Sequence, residues 1–431
     1  MARRLDASAP DFAASFQALI AAQREADADV TAVVRGIVAE IRKRGDAALL
    51  EFTQRFDGIA LPAEQLRVTD QEIADAERAC SKTQIQALDF AAKRIEAFHA
   101  RQIPKDDIFT DDVGVTLGWR WTPIDSAGLY VPGGTASYPS SVLMNAIPAR
   151  LAGVRRIAMV TPASRTGINP LVLAAARRAG VNEIYHIGGA QAVAALAYGT
   201  EAIAAVDKIV GPGNAYVAAA KREVFGDVGI DSIAGPSEIL VVADADNDPR
   251  WIAADLLSQA EHDASSQSIL ITDSAVFADQ VESEVAQRLE ALPRKAIADA
   301  SWRDHGAIIV VPSIAEAAPL IDRIAPEHLE IATNDPQSLF ARVRHAGAIF
   351  LGRHTPEAIG DYVAGPNHVL PTSRTARFAS GLSLFDFMKR TTIMSCTPEA
   401  LNALGAQGVV LAGAEGLEAH ARSISVRLER K

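Results

Sequence analysis

A few clusters of polar residues stand out from an otherwise apolar chain. Gln259 and His262 are three residues apart at the end of a helical pattern, so both project from one helix face. An amide and an imidazole aimed the same way can ligate a metal; a plain polar helix terminus has the same pattern, and spacing alone does not separate the two. Glu327 and His328 set a carboxylate beside an imidazole. If Pro326 opens a helical turn, the two lie about 100° apart around it and both face one cleft. Such a pair offers two proton acceptors of different basicity, as a reaction with two proton removals needs; a surface Glu-His pair is the ordinary alternative. Asp361 and His368 fall in a loop punctuated by Gly360 and Gly365, where polar residues more often serve a site than a core. Glu415 and His420 follow on the C-terminal tail.

The elements that must position these groups read as strands alternating with helices. Residues 231–263 organise the chain. A glycine-proline turn, Gly235-Pro236-Ser237-Glu238, leads into the strand 239–244, which is apolar on both faces as a buried parallel strand is. Asp248 and Pro249 then cap a helix that carries Gln259 toward its end. Before this stretch, strands at 156–161, 183–187 and 208–210 alternate with helices at 169–178, from Gln191 to Tyr198, and up to Val224. Three of the strand-to-helix turns are rich in glycine: 128–134, Gly188-Gly189-Ala190-Gln191 and Gly211-Pro212-Gly213-Asn214. Open α/β sheets bind ligands at such turns, on the carboxyl ends of parallel strands. None matches the dinucleotide fingerprint, because the third glycine and a placed acidic residue are missing. After the stretch, strands at 268–272, 307–311 and 348–351 alternate with helices at 276–289 and 314–324. Residues 27–56 and 70–100 are helical and form a cover, with His99 expected on a helix surface.

The expected fold is therefore α/β: two doubly wound, incomplete Rossmann-like domains with a helical N-terminal cover and a small C-terminal tail domain. The boundaries expected are an N-terminal extension over 1–26, a first α/β domain from 27–129 and 238–380, a second over 130–237, and a tail over 381–431. The tail is too short for a large core of its own and should dock on another surface, a second subunit being one candidate.

Composition narrows the function. A net charge of −11 argues against a nucleic-acid surface and against anionic membranes. No apolar run is long enough to span a bilayer, and Asp6 interrupts any signal peptide. Cys80 and Cys396 are too few for a disulfide framework or a cysteine zinc site, so the cytoplasm is expected and any metal should use His, Asp, Glu or amide donors.

Taken together, Ile230-Asp231-x-x-Ala234-Gly235-Pro236-Ser237-Glu238, Gln259-x-x-His262, Pro326-Glu327-His328, Gly360-Asp361-Tyr362 and His420-Ala421-Arg422 resemble the histidinol dehydrogenase family. The resemblance covers nearly the whole chain, and includes Val131-Pro132-Gly133-Gly134 and Asn367-His368-Val369-Leu370-Pro371. It implies a zinc enzyme that oxidises L-histidinol through L-histidinaldehyde to L-histidine, the last step of histidine biosynthesis, with two NAD consumed in succession. By the same resemblance, Gln259, His262, Asp361 and His420 would hold zinc. Substrate would meet these four and Ser237, His328, His368 and Glu415. NAD would meet Tyr130, Gln191 and Asn214, and Glu327 and His328 would be the catalytic bases. A homodimer whose tails complete each other's sites fits the position of Glu415 and His420. Three other readings stay open: a same-fold dehydrogenase of another small alcohol or diol, a metal-dependent hydrolase without nicotinamide, and a non-catalytic binding protein.

Overall fold

The computed structural model describes residues 2–22, 28–133, 138–162 and 167–429. The chain forms two compact units, Met1–Arg101 with Asp125–Phe387, and Gln102–Ile124 with Met388–Lys431. Among the described residues the larger unit holds two parallel sheets, so the α/β alternation expected from the sequence is what the chain adopts.

The six-stranded sheet runs, in spatial order, Arg3–Asp6, Ala307–Val310, Gln267–Thr272, Glu238–Ala243, His328–Ala332 and Ala348–Leu351. Its central strand alternates between two cores. Leu240 and Val242 pack with Phe16, Ile321 and Leu329, whereas Ile239, Val241 and Ala243 pack with Leu256, Phe277, Val281 and Trp302. A strand buried on both faces needs apolar residues at consecutive positions, which is why Glu238–Ala243 is apolar at every position after Glu238. The five-stranded sheet runs Glu183–Tyr185, Arg156–Val160, Ser126–Tyr130, Lys208–Val210 and Gly229–Ile230. In each series the first strand is central, the next two extend one side, and the chain then switches to the other side, the order of doubly wound sheets.

Seven residues, 231–237, join the last strand of the five-stranded sheet to the first of the series that follows. They span at most about 25 Å. The carboxyl edge of one sheet is thereby held beside the amino edge of the other.

Several elements differ from the sequence reading. Residues 70–100 make two helices, Asp70–Ala79 and Lys82–Ala100, because Ser81 accepts the Gln84 N–H and Gln84 returns the bond in a capping box. The helix Lys295–His305 was not anticipated; its polar sequence hides the inward face of Ala298 and Trp302. Arg3–Asp6 pairs with Ala307–Val310 as an edge strand, a role its single apolar residue, Leu5, does not announce. His99 is buried, edge-on to Phe98, and does not lie on a helix surface. The helices Ala28–Arg44 and Asp46–Asp57 place Val34, Ile37, Ile41, Leu49 and Phe52 on the five-stranded sheet, against Tyr130, Val160 and Tyr185.

In the smaller unit, Met388–Cys396 pairs antiparallel with Val115–Pro123, which pairs in turn with Asp107–Thr110. The helices Pro398–Ala414 and Glu418–Leu428 pack on each other, with Gly405 under Leu428 and Ile424. The tail thus builds its sheet from an earlier hairpin of the same chain.

Phe16 tests whether the N-terminal segment belongs to the six-stranded core. Its ring is fully buried, and the Arg323 guanidinium lies over it. Phe16→Ala should lower the unfolding free energy by about 3–5 kcal/mol in urea titrations. A loss of less than about 1 kcal/mol would show the segment to be dispensable.

Candidate active site

His328 opens the strand His328–Ala332 and stands opposite Ile239 in the parallel ladder. Glu327 precedes it by one residue. Glu327 Oε2 accepts the N–H of Glu238 at 2.9 Å, and His328 Nδ1 lies 3.0 Å from the carbonyl oxygen of the same residue. A carbonyl only accepts, so Nδ1 carries the proton and Nε2 remains as the acceptor. The expected helical turn at Pro326 is therefore absent. Ala325 ends the preceding helix in a left-handed conformation, and Gly347 and Ala348 donate to the Pro326 and Glu327 carbonyls, drawing the segment into the sheet. The two side chains converge on the amino edge of the six-stranded sheet, not on a helix face.

Both groups are buried, Glu327 7% and His328 4% exposed. Burial pushes the Glu327 carboxyl well above the usual carboxylate range; the Glu238 N–H opposes this, and the carboxylates of Glu238, Asp361 and Glu357 add to it. Burial pushes His328 below the usual imidazole range, and the Glu357 carboxylate pulls the other way. Around Nε2 stand Glu357 Oε1 at 3.6 Å and Asp361 Oδ1 at 3.9 Å. Ligand atoms of His328, Glu357 and Asp361 all lie within 4.8 Å of one another, a group able to hold a metal ion.

Glu357 and Asp361 share the helix Glu357–Tyr362, whose Gly360 lets it approach the Phe350 ring; a Cβ there would stand 2.6 Å from that ring. The sequence reading missed Glu357. Its signal was available, a carboxylate one helical turn before Asp361. Ser258 Oγ donates to Glu357 Oε2 at 3.4 Å, and the Glu357 N–H is taken by Glu330. Burial, then Glu357, pushes Asp361 upward.

Gln259, beside Ser258, is buried, and its Oε1 has no hydrogen-bond partner. The helix Pro249–Ala260 stops just before His262, whose N–H turns back to the Gln259 carbonyl at 3.2 Å. His262 is exposed but close enough for its charge to depress both His328 and His368. His368 Nδ1 donates to the Asp361 carbonyl at 3.1 Å, and its Nε2 lies 3.3 Å from Ser141 Oγ. Burial first, then His328, brings the His368 imidazole down to about 4. Ser237 adjoins Glu238 at the mouth of the central strand, where its carbonyl accepts the Gln267 N–H at 2.9 Å. The larger unit thus brings Ser237, Gln259, His262, Glu327, His328, Asp361 and His368 to one region. Glu415 and His420 belong to the smaller unit, where both are exposed.

The glycine turns sit at the carboxyl ends of the five-stranded sheet. Tyr130 ends its central strand, and its hydroxyl accepts the Gly189 N–H at 3.0 Å; burial pushes the phenol up to about 12. Gln191 is buried and donates to Asp57 Oδ2 at 3.4 Å. Asn214 caps the helix Ala215–Val224, its Oδ1 accepting from Tyr216 and Val217. Asp57, pushed upward by burial and held by the Gly188 N–H, is an acidic residue beside a glycine turn. It arrives from the distant helix Asp46–Asp57, beyond the reach of a local motif. Gly134, in the first of the three turns, and Ser137, expected to open the helix after it, lie outside the described residues.

The profile of the family described as histidinol dehydrogenase matches residues 20–428. The histidinol dehydrogenase of Rhodospirillum rubrum is 64% identical over 431 residues, covering 100% of this chain and 99% of that relative. That of Rhizobium meliloti is 63% identical over 428 residues, covering 99% of each. The crystal structure of histidinol dehydrogenase from Elizabethkingia anophelis superposes with a TM-score of 0.94 at 39% identity, covering 99% of this chain and 98% of that one.

Behind the site, Asp255 shares a hydrogen bond with buried Glu330, and burial raises Asp255 to about 6. A carboxyl whose folded pKa is raised stabilises the fold while protonated, and that contribution is lost as pH rises from about 4 to about 6. Asp255→Asn imitates the protonated form. Calorimetry of metal-free protein should show the variant gaining thermal stability at pH 7 and little or none at pH 4. An equal gain at both values would show that ionisation of Asp255 is not what costs stability.

Proposed function

The chain belongs to the histidinol dehydrogenase family, and on that premise we propose a zinc- and NAD-dependent oxidation of L-histidinol to L-histidine by two hydride transfers. The observation that carries the reading is the backbone of Glu238, whose N–H binds Glu327 and whose carbonyl orients His328. It supplies two bases of different character in one place, as an alcohol oxidation followed by an aldehyde oxidation requires.

Gln259, His262 and Asp361, with His420, would hold zinc. The buried Gln259 Oε1 without a partner and the crowded Asp361 and Glu357 carboxylates are what a cation would satisfy, and mixed nitrogen and oxygen donors suit zinc. Bound zinc would supply a positive centre that orients a substrate carrying an amine and an imidazole. Ser237, His368 and Glu415 would contact the same substrate, and Tyr130, Gln191 and Asn214 would hold NAD.

The chain's own groups then divide the proton work. His328 Nε2, unprotonated because Nδ1 is committed to Glu238, takes the alcohol proton as the carbinol hydride leaves for nicotinamide. Glu327, made more basic by burial, takes a proton from the water that adds to the retained aldehyde. His328 takes the next proton from the resulting diol as the second hydride leaves. Histidinol, two NAD and water become histidine, two NADH and released protons.

A homodimer is part of the proposal. The C-terminal helices leave Leu404, Val410, Leu411 and Leu417 exposed, apolar area that a closed two-fold contact would cover. In such a dimer Glu415 and His420 would complete the partner's site. The proposed place of work is the cytoplasm. The cysteines Cys80 and Cys396 are free, and among the described residues no helix is long and apolar enough to cross a membrane.

Counting NADH per L-histidinol consumed is the direct test. Two are expected; one, or none, rejects the four-electron reading. His328→Asn should slow oxidation of both histidinol and supplied histidinaldehyde by about 10²- to 10⁴-fold. Glu327→Gln should slow the aldehyde step more than the alcohol step, and equal losses would reject the division of labour.

Shared sites predict complementation. His420→Ala and His262→Ala subunits, each inactive, should regain activity when mixed under exchange, because one site of each mixed dimer keeps both ligands. No recovery with exchange confirmed would show that each chain builds its own site.

A further inference from the structure

The chemistry above leaves one buried charged pair without a role. Lys221 lies on the helix Ala215–Val224 and Asp231 is the first residue of the crossover 231–237; their side chains are 2% and 4% exposed. Asp231 Oδ1 takes the Lys221 ammonium, while Oδ2 accepts the Gly211 N–H at 2.8 Å. Lys221 Nζ also donates to the Gly211 carbonyl at 3.1 Å. One ion pair therefore holds both polar groups of a single glycine. Gly211 has a φ of 112°, and a Cβ there would stand 2.2 Å from the Tyr130 carbonyl oxygen. Only glycine fits this left-handed approach to the central strand. The same turn continues through Pro212 and Gly213 into Asn214.

A buried ion pair is weak evidence for stability, since apolar residues of similar volume often do as well. What needs explaining is its aim. Both partners are spent on the backbone of the glycine that presses the turn onto Tyr130. Asp231 also begins the short crossover to Ser237 and Glu238, whose backbone orients the base. We infer that the Lys221–Asp231 pair is a positioning device that fixes the dinucleotide turn against the crossover leading to His328. The inference rests on the proposed binding of NAD at Tyr130, Gln191 and Asn214.

Lys221→Met, Asp231→Asn and the double variant test it. Each single change strands a polar or charged group in the interior and lowers the thermal midpoint; the double change leaves no buried charge and regains most of it. Because the Gly211 carbonyl loses its donor or that donor loses its anchor, all three should raise KM for NAD about tenfold, on the scale of one lost hydrogen bond. KM for histidinol should stay within about twofold, since the substrate groups are untouched. Recovery of both the midpoint and the wild-type KM for NAD in the double variant would reduce the pair to a stability element and overturn the inference. A parallel rise in both KM values would overturn it as well. Should the single variants fail to fold, Asp231→Glu keeps the ion pair but displaces the carboxylate, and must show the same selective rise. Wild-type protein that reduces no NAD with histidinol defeats the proposed function instead, and that measurement comes first.

Discussion

The site hangs on the backbone of one residue. Glu238 donates its N–H to Glu327 and accepts from His328, so both candidate bases are oriented by backbone that no side-chain substitution removes. This arrangement requires the strands Glu238–Ala243 and His328–Ala332 to be neighbours in one register, with His328 opposite Ile239. A slip of one residue would turn Leu329 toward the site and His328 into an apolar core. The apolar alternation of Leu240, Val242, Leu329 and Ile331 against Ile239, Val241 and Ala243 is what forbids the slip. Core packing thus sets the angle of an imidazole.

That rigidity is set against an unfavourable local charge. Glu327, Glu330, Glu357, Asp361 and Asp255 converge from one strand, the residue before it and two helices, and burial pushes Glu327, Glu330, Asp361 and Asp255 above the carboxylate range. Like charges that cannot be hydrated together must share protons or take a cation. Amide, hydroxyl and main-chain donors around them, such as Ser258 on Glu357 and the Glu238 N–H on Glu327, offset part of the repulsion. The doubly covered sheets supply the apolar burial that tolerates the rest. A site strained in this way is what a positive centre would relax, which supports the proposed metal more than any single ligand does.

Much of this was legible in the sequence where the signal is local. The buried strand through Ile239 and the cap at Asp248 follow from neighbouring residues and appear as read, whereas the helix ends at Ala260, so His262 lies beyond it and is exposed while Gln259 is buried. Glu327 and His328 were found by type, but their conformation was misjudged. Proline favours a first helical turn, and only the ladder bonds from Gly347 and Ala348 make it a strand entry. Asp57 escaped because it acquires its meaning from a partner far along the chain, Gln191, whereas Glu357 had a local signal, its place one helical turn before Asp361. Arg3–Asp6 escaped for a related reason: an edge strand with one apolar residue has no period to read.

The two sheets also answer why the candidate bases sit at an amino edge when doubly wound sheets present ligands at the carboxyl edge. The five-stranded sheet keeps that habit, with Gly188, Gly189 and Gly211 at its carboxyl ends. A chain enters each strand at its amino end, and the crossover 231–237 is short, so the amino edge of the next sheet stays within about 25 Å of the strand end it leaves. Groups at the start of the second sheet are then held on rigid strands near the end of that crossover. Glu238, Glu327 and His328 occupy those starts, while Ser141, on the first helix after Tyr130, touches His368 from the opposite side at 3.3 Å. A short connection into the amino end of a strand thus sets where the candidate groups of the second sheet lie relative to the first.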